Sequence, residues 1–88
     1  MIFKKGELFS GPGGLSYAAI SASIVTPTGE RFSIKHTWAN DVDSDSCETF
    51  RKNICPDNPE SVINADVNNI EIKKLKKIDC FVFGFPCN

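Results

Sequence analysis

The chain has 88 residues, of which 41% are hydrophobic and 24% are charged, and its formal net charge is −1. A chain of this length forms one small domain, and a charge so near zero gives no general argument for binding nucleic acid or an anionic membrane. No apolar stretch reaches the length of a membrane span, and the amino-terminal residues lack the apolar segment of a signal peptide, so we expect a cytoplasmic protein without a membrane partner.

The first third of the chain predicts a strand, a glycine turn and a helix. Residues 5–10 predict the strand, and residues 11–14 contain three glycines, which allow a tight turn and a close approach of the backbone. Residues 15–25 predict a helix that ends at the breaker sequence of residues 26–29. The side chains predicted on its inner face are Leu15, Ala18, Ala19 and Ala22.

Three more strands and two more helices are predicted after this turn. Residues 32–39 are rich in β-branched and aromatic side chains and predict the second strand. Residues 43–54 predict an amphipathic helix that is capped by residues 43–45, with Glu48 completing a capping box, and that carries Cys47, Phe50 and Ile54 inward. The remaining predicted elements are a third strand at 61–65, a one- or two-turn helix at 68–77 and a fourth strand at 80–85.

Strands that alternate with helices predict an α/β fold, here a partial Rossmann-like parallel sheet of about four strands. Ligands of such sheets bind at the carboxyl ends of the strands. Those ends carry the glycine turn, Asp41, Asp66 and the pair Pro86-Cys87. We therefore expect these residues to meet at one pocket.

The glycine turn has the spacing G-x-G-G, and Ser16 stands where a dinucleotide fingerprint has its third glycine. Free N–H groups at the start of the following helix favour an anionic group, and a small one such as an amino-acid carboxylate suits the turn better than a pyrophosphate. A turn that only serves packing is an equally good interpretation.

Two aspartates follow predicted strands. Asp41 can accept hydrogen bonds from a ribose diol, because residues 43–45 suit the helix cap better and leave it free for a ligand. Asp66 can accept from an adenine amino group, but it is just as well explained as a turn or cap residue.

The four cysteines, at positions 47, 55, 80 and 87, are expected to be thiols in a reducing cytoplasm. Cys87 is the candidate nucleophile, since Pro86 restricts the backbone before it, although only about 3% of an unperturbed thiol is thiolate at pH 7. The other three are expected to be small buried hydrophobic residues. No C-x-x-C pair is present and His36 is the single histidine, so no metal site is predicted.

Four segments together resemble the amino-terminal part of cytosine-5 DNA methyltransferases: LFSGPGGLS, WANDVDSDSCETFRKN, ADV and DCFVFGFPCN. The resemblance covers nearly the whole chain and implies a fold that binds S-adenosylmethionine. It implies that Cys87 is the catalytic nucleophile. The cofactor-binding residues that it implies are Phe9, Pro12, Gly13, Gly14, Asp41, Val42, Asp66, Val67, Gly84 and Pro86.

The roles that the resemblance implies differ along this set. Phe9 and Val67 would flank the adenine, Asp66 would bind its amine, and Asp41 would bind the ribose. Pro12, Gly13 and Gly14 would hold the methionine part of the cofactor. Val42 stands where the family often has a larger contact residue, while Gly84 and Pro86 would line the floor near the sulfonium.

The implied activity is transfer of a methyl group from S-adenosylmethionine to carbon 5 of a cytosine flipped out of double-stranded DNA, through a cysteine adduct, as in restriction–modification systems. The family's later motifs and its target-recognition region are not in these 88 residues. We therefore expect residues 1–88 to be the amino-terminal portion of a catalytic domain, inactive alone, with weak or undetectable binding of the cofactor. Asn88 stands where the family usually has glutamine, and residues 26–35 are expected to form an extended turn.

Three alternatives remain open from the sequence. A transfer-RNA methyltransferase of the same family would share these motifs. A nicotinamide or flavin dinucleotide module is disfavoured by the missing third glycine. A non-catalytic fragment could instead pair through its open sheet edge with a complementing chain or with a second copy of itself.

Overall fold

The computed structural model describes residues 1–83, and residues 84–88 lie outside the described part of the chain. The helices and strands are β1 (Ile2–Leu8), α1 (Gly14–Ser21), β2 (Ser23–Val25), β3 (Arg31–Asp41), α2 (Ser44–Ile54), β4 (Val62–Asn64) and β5 (Cys80–Phe83). Three single turns of 3-10 helix add to these, at Pro59–Ser61, Val67–Asn69 and Ile72–Lys74.

The strands form one mostly parallel sheet in the order β2-β3-β1-β5, with β4 also paired to β3. β1 pairs in parallel with both β3 and β5, and β4 pairs in parallel with β3. The carboxyl ends of these four strands therefore point to the same edge of the sheet. The predicted fold class, an α/β fold with a partial Rossmann-like parallel sheet, is confirmed.

The helix predicted at residues 15–25 is too long, because α1 ends at Ser21 and the chain then forms a hairpin. β2 pairs antiparallel with the start of β3, with Ser23 opposite Ser33. The β-branched residues Ile24 and Val25 favour this extended conformation. The extended turn expected at residues 26–35 is thus the tip of the hairpin followed by the first residues of β3.

The inner face predicted for α1 is also wrong. Leu15 is 55% exposed, and Ser16 is instead the buried residue of this helix. Ser16 points inward because its hydroxyl forms hydrogen bonds with β1, at 2.5 Å from both Lys5 Nζ and Glu7 Oε1. Of the other residues predicted on the inner face, Ala18 and Ala22 are exposed and Ala19 is half-buried.

Lys5 and Glu7 form an ion pair inside the protein. Their side chains are 0% and 1% exposed, and Lys5 Nζ lies 2.9 Å from Glu7 Oε1. Among the described residues, the other Glu7 oxygen has no hydrogen-bond partner. Because Ser16 joins this pair, the polar cluster ties the carboxyl half of β1 to the first turn of α1 and holds both ends of the glycine turn.

The apolar core lies between the sheet and α2. The prediction that α2 carries Cys47, Phe50 and Ile54 inward is confirmed: the first two are 0% exposed, and Ile54 packs against the core cluster. Their core partners are Ala39, Cys55 and Val62.

The helix α2 begins at a cap in which the Asp43 carboxylate accepts from the Ser46 N–H at 3.0 Å. Glu48 does not take part in this cap, and its carboxylate lies 3.9 Å from Lys52 Nζ.

The helix predicted at residues 68–77 does not form, and two single 3-10 turns replace it. Four lysines without an apolar stripe give this segment no face to bury. The segment instead crosses Trp38, whose indole N–H donates to the Lys76 carbonyl at 3.2 Å. Gly6 lies beneath this indole, and a Cβ there would be 2.6 Å from Trp38 Cζ2.

In the part of the chain that the structure describes, no helix has the length and apolarity required to traverse a bilayer. The cysteines Cys47, Cys55 and Cys80 are unpaired. The first two are buried as predicted, but Cys80 is only partly buried, with its sulfur 3.6 Å from the Lys4 carbonyl.

His36 gives the fold a predicted pH dependence. Burial, and then the nearby Lys5 cation, lower the pKa of His36 from 6.5 to about 4. Protonation therefore favours the unfolded chain, so the free energy of unfolding should fall as the pH is lowered from 6.5 towards 4. Urea unfolding at pH 7 and pH 5 measures this loss.

A His36→Phe variant is the control for this pH dependence, because the chain has no other histidine. Its unfolding free energy should change less between pH 7 and pH 5 than that of the wild type. Equal changes in the two proteins would contradict the assignment.

Candidate functional site

The loops after β1, β3 and β4 meet at one cavity at the carboxyl edge of the sheet, with a volume of about 140 Å³. Its lining residues are Phe9, Asn40, Val42, Ala65, Asp66 and Val67. Four of these, all except Asn40 and Ala65, are cofactor residues that the sequence predicted. The structure thus brings together residues that are up to 58 positions apart in the chain.

The walls of this cavity are apolar and open to solvent. Val42 is 69% exposed and Phe9 is 36% exposed. Phe9 also has a left-handed backbone conformation, with φ of 54°, which costs a residue with a side chain about 1 kcal/mol or more. Exposed apolar walls and a strained aromatic residue at one opening are features of a ligand site.

The glycine turn begins two residues after Phe9. Gly11 and Gly13 have φ of 58° and 107°, values that side-chain-bearing residues rarely adopt. A Cβ on Gly13 would also lie 3.0 Å from Ile54 Cγ1 and 3.2 Å from Phe50 Cδ2, so the turn packs closely on α2. No side chain caps α1, and its first N–H groups are thus available to an anionic group.

The residues predicted to hold the methionine part do not line the cavity beside Phe9. Pro12, Gly13 and Gly14 line a second cleft, together with Tyr17, Asn53 and Ile54. The predicted cofactor residues are thus divided between two clefts.

Asp41 has partners within the chain, which differs from the prediction that it is left free for a ligand. Its Oδ2 accepts from the Gly11 N–H at 2.8 Å, and its Oδ1 accepts from the Asp43 N–H at 2.8 Å. A carboxylate has about four lone-pair positions, so it retains the capacity to accept two further donors. Asp41 therefore links the glycine turn to the start of α2.

Asp66 fits its alternative interpretation as a cap. Its Oδ1 accepts from the Asn68 N–H at 2.9 Å and begins the 3-10 turn at Val67–Asn69. Its other oxygen accepts no hydrogen bond from the described residues, and the side chain is exposed at the cavity. Capping and ligand binding are thus compatible at this residue.

Two asparagines that the sequence analysis did not single out hold these loops together. Asn40 Nδ2 donates to the carbonyls of Ile63 at 3.0 Å and Ala65 at 2.7 Å. Asn64 Nδ2 donates in the opposite direction, to the carbonyls of Asp41 at 3.2 Å and Val42 at 3.0 Å. Their position in the sequence could have indicated this role, because Asn40 lies next to the end of β3 before Asp41, and Asn64 ends β4 shortly before Asp66.

The predicted site residues Gly84, Pro86 and Cys87 lie outside the described residues. β5 leads towards them, and its last residue, Phe83, pairs with Leu8, which precedes Phe9. Of the described cysteines, Cys47 and Cys55 are buried, and burial raises the pKa of the Cys47 thiol. Neither suits an exposed thiolate. No group of three His, Cys, Asp or Glu side chains within residues 1–83 is placed to hold a metal ion.

Comparison with known proteins agrees with this geometry. The model of the family "C-5 cytosine-specific DNA methylase" matches residues 3–88. The chain is 56% identical, over its whole length, to 25% of the Type II methyltransferase M.BbvI from Brevibacillus brevis. Two further Type II methyltransferases each match 92% of the chain. M.Eco47II from Escherichia coli is 31% identical over a match that covers 16% of its own length. M.NgoFVII from Neisseria gonorrhoeae is 34% identical over a match that covers 18% of its own length.

No solved structure is significantly similar to the chain. The chain spans a quarter or less of the length of these curated relatives. The family match, in contrast, covers nearly all of its residues. The chain therefore belongs to the family of C-5 cytosine-specific DNA methylases.

Proposed function

We propose that residues 1–88 are the amino-terminal part of a cytoplasmic DNA (cytosine-5-)-methyltransferase of a restriction–modification system, which uses S-adenosylmethionine as its methyl donor. The observation that carries the proposal is the cavity where Phe9, Val42, Asp66 and Val67 converge, in a chain that matches the methylase family from residue 3 onward. Membership of the family of C-5 cytosine-specific DNA methylases favours DNA over RNA as the substrate.

The residues present fit an adenosyl group. Phe9, Val42 and Val67 offer apolar surfaces to a flat ring, and the exposed oxygen of Asp66 can accept from its amine. Asp41 lies at the end of β3, where a carboxylate can accept from ribose hydroxyls. The glycine turn brings uncapped N–H groups of α1 to the carboxylate of the amino-acid part.

The bound cofactor supplies a methyl group on a sulfonium, and the protein has to make the cytosine a nucleophile. In the proposed reaction the Cys87 thiolate forms a bond to carbon 6 of the base, and the electrons of the 5,6 double bond make carbon 5 nucleophilic. When bound, the sulfonium would supply its methyl group to carbon 5 and would leave as a neutral thioether. Water or another base then takes the proton from carbon 5, and the electrons of that C–H bond restore the double bond and expel the Cys87 thiolate. The base must leave the DNA helix to reach the thiolate.

The described part of the sheet is open on one side. β5 pairs only with β1 among the described strands, and Phe81 and Phe83 are 46% and 55% exposed. A strand at the edge of a sheet is a template for further pairing. We infer that the remaining part of a methylase, as a complementing polypeptide, pairs with this edge. It would supply the later motifs and the target-recognition region, which residues 1–88 do not contain.

A methyl-transfer assay on cytosine-containing DNA tests this proposal. The 88-residue chain alone should transfer no methyl group. The chain mixed with a polypeptide that covers the rest of M.BbvI should do so, and a Cys87→Ala chain in the same mixture should be slower by more than about a thousandfold, as is found when a covalent nucleophile is removed.

The controls separate the parts of the proposal. Turnover by the chain alone above that of Cys87→Ala would contradict the inference that the chain is incomplete. Equal turnover of the wild-type and Cys87→Ala mixtures would contradict the role of Cys87.

A further inference from the structure

Asn40 is the most buried polar residue of the adenosyl cavity. It is 1% exposed and lies one residue before the end of β3. Both amide hydrogens are used, because Nδ2 donates to the Ile63 and Ala65 carbonyls of the β4 segment. Its own backbone carbonyl accepts from the Ser10 N–H at 2.9 Å. One residue thus joins the three loops that form the cavity.

The orientation of this amide follows from these two bonds. With both hydrogens directed at carbonyls of β4 and its loop, Oδ1 is the remaining polar atom, and no described residue donates to it. A flip of the amide would turn Oδ1 towards two carbonyl oxygens, which is repulsive. Oδ1 is therefore held as an acceptor by the fold.

The polar side chains that line the cavity among the described residues are Asn40 and Asp66. Asp66 offers its unpartnered oxygen at the exposed side of the cavity, and the fixed Oδ1 of the buried Asn40 is an acceptor within the cavity wall. A ring that presents an amino group satisfies such acceptors, whereas a ring that presents a carbonyl oxygen leaves them unpaired. A mismatch of this kind weakens binding of the ring by about tenfold, because polar groups of the site are left unpaired.

We propose that Asn40 is a positioning residue that determines base specificity, because it locks the β4 loop against β3 and, with Asp66, makes the cavity select a 6-amino purine over a 6-oxo purine. This inference rests on the proposed function, since it takes the cavity to be the adenosyl site. The inference goes beyond the proposed function because it assigns the base selectivity to Asn40, which the sequence analysis did not predict as a site residue.

Titration of the 88-residue chain, followed by the NMR signals of its backbone amides, tests the proposal with two probes at millimolar concentration. The probes are S-adenosyl-L-homocysteine and its deaminated analogue S-inosyl-L-homocysteine. In the wild type, the adenosyl probe should shift the amides of Phe9, Val42 and Val67 at a concentration about tenfold lower than the inosyl probe. In Asn40→Ala and Asn40→Asp this preference should fall to twofold or less.

Arg51→Met is the matched control, because the Arg51 guanidinium also holds the β4 segment through two carbonyls, those of Pro59 and Val62, at the end away from the cavity. It should lose stability but keep the tenfold preference. Retention of the preference in Asn40→Ala would overturn the inference, and so would its loss in Arg51→Met.

A wild-type signal keeps the test decisive if the Asn40 variants do not fold. The side-chain amide of Asn40 should be protected from exchange and should shift with the adenosyl probe, and an unshifted signal in the presence of bound probe would overturn the inference. Equal responses to both probes would overturn the inference alone. No response to either probe, from the chain alone and from its mixture with the polypeptide that covers the rest of M.BbvI, would overturn the proposed adenosyl site and the inference with it.

Discussion

Replacing Glu7 with leucine is expected to lower the free energy of unfolding by about 3–5 kcal/mol, because the Lys5 ammonium loses its counter-ion in the protein interior. The two side chains are 0% and 1% exposed and lie 2.9 Å apart. Domains are stable by about 0.05–0.15 kcal/mol per residue, which is roughly 4–13 kcal/mol for a chain of this length. The variant should therefore be close to unfolding in buffer. Urea unfolding followed by the fluorescence of Trp38, the single tryptophan, measures the loss.

The double variant Lys5→Met/Glu7→Leu is the matched control. It removes both charges and keeps apolar volume, so most of the lost stability should return, since a buried ion pair can be replaced by apolar residues at little net cost. The Ser16 hydroxyl, which lies 2.5 Å from both charged groups, would lose its hydrogen-bond partners in the double variant. An unpaired hydroxyl costs less than an unpaired charge, so only a small part of the stability should stay lost. A double variant as unstable as Glu7→Leu alone would show that the loss comes from packing and not from the uncompensated charge.

This ion pair also shows what the sequence could not reveal. The sequence predicts a strand at residues 5–10 but not the burial of its charged residues, and Lys5, Gly6 and Glu7 are all buried in the structure. The periodicity of a sequence locates strands and helices, but it cannot show that two charges neutralise each other beneath a helix. The same polar cluster buries Ser16 and turns the apolar Leu15 outward, which reverses the predicted face of α1.

Much of the order of the elements could be predicted, because the local signals at β1, β3 and α2 agreed with the fold. The glycine turn, the Asp43 cap and the inward residues Cys47 and Phe50 all lie where sequence patterns indicate. The hairpin of β2 and β3 was missed although its signal is present. Two apolar β-branched residues, Ile24 and Val25, precede a turn with Gly29 at φ of 85° and a second extended run, which is a hairpin pattern.

The composition of the candidate cavity was predicted in part, and its hydrogen bonds were not predicted. The loop residues Phe9, Val42 and Asp66 meet because parallel strands bring their carboxyl ends to one edge, which topology alone dictates. The asparagines that brace these loops depend on side-chain amides reaching particular carbonyls across β3 and β4. Such contacts are a property of the packed backbone, so no pattern in the sequence specifies them.

Replacing Asp41 with alanine is expected to loosen the glycine turn and to weaken binding of an adenosyl ligand by at least about tenfold. The carboxylate holds the Gly11 N–H and the Asp43 N–H, each at 2.8 Å, and hydrogen bonds to charged groups contribute about 1.5–3 kcal/mol each. Exchange of the Gly11 amide with solvent should therefore become faster by about tenfold or more. Hydrogen exchange by NMR measures this change, and titration with S-adenosyl-L-homocysteine measures the loss of affinity.

Asp43→Ala separates the two roles of Asp41 from a general loss of charge. This variant removes an equal charge two residues away and breaks the α2 cap to Ser46, at a cost of about 1 kcal/mol, but it leaves the contact between Asp41 and Gly11 in place. Its Gly11 amide should stay protected, and its ligand affinity should stay near that of the wild type. If Asp41→Ala left Gly11 protected but weakened the ligand, Asp41 would act on the ribose alone. If it exposed Gly11 without weakening the ligand, the carboxylate would serve the turn and not the cofactor. Loss of both in Asp41→Ala, and of neither in Asp43→Ala, is the result expected of a residue that orders the glycine turn while its remaining lone pairs face the ribose.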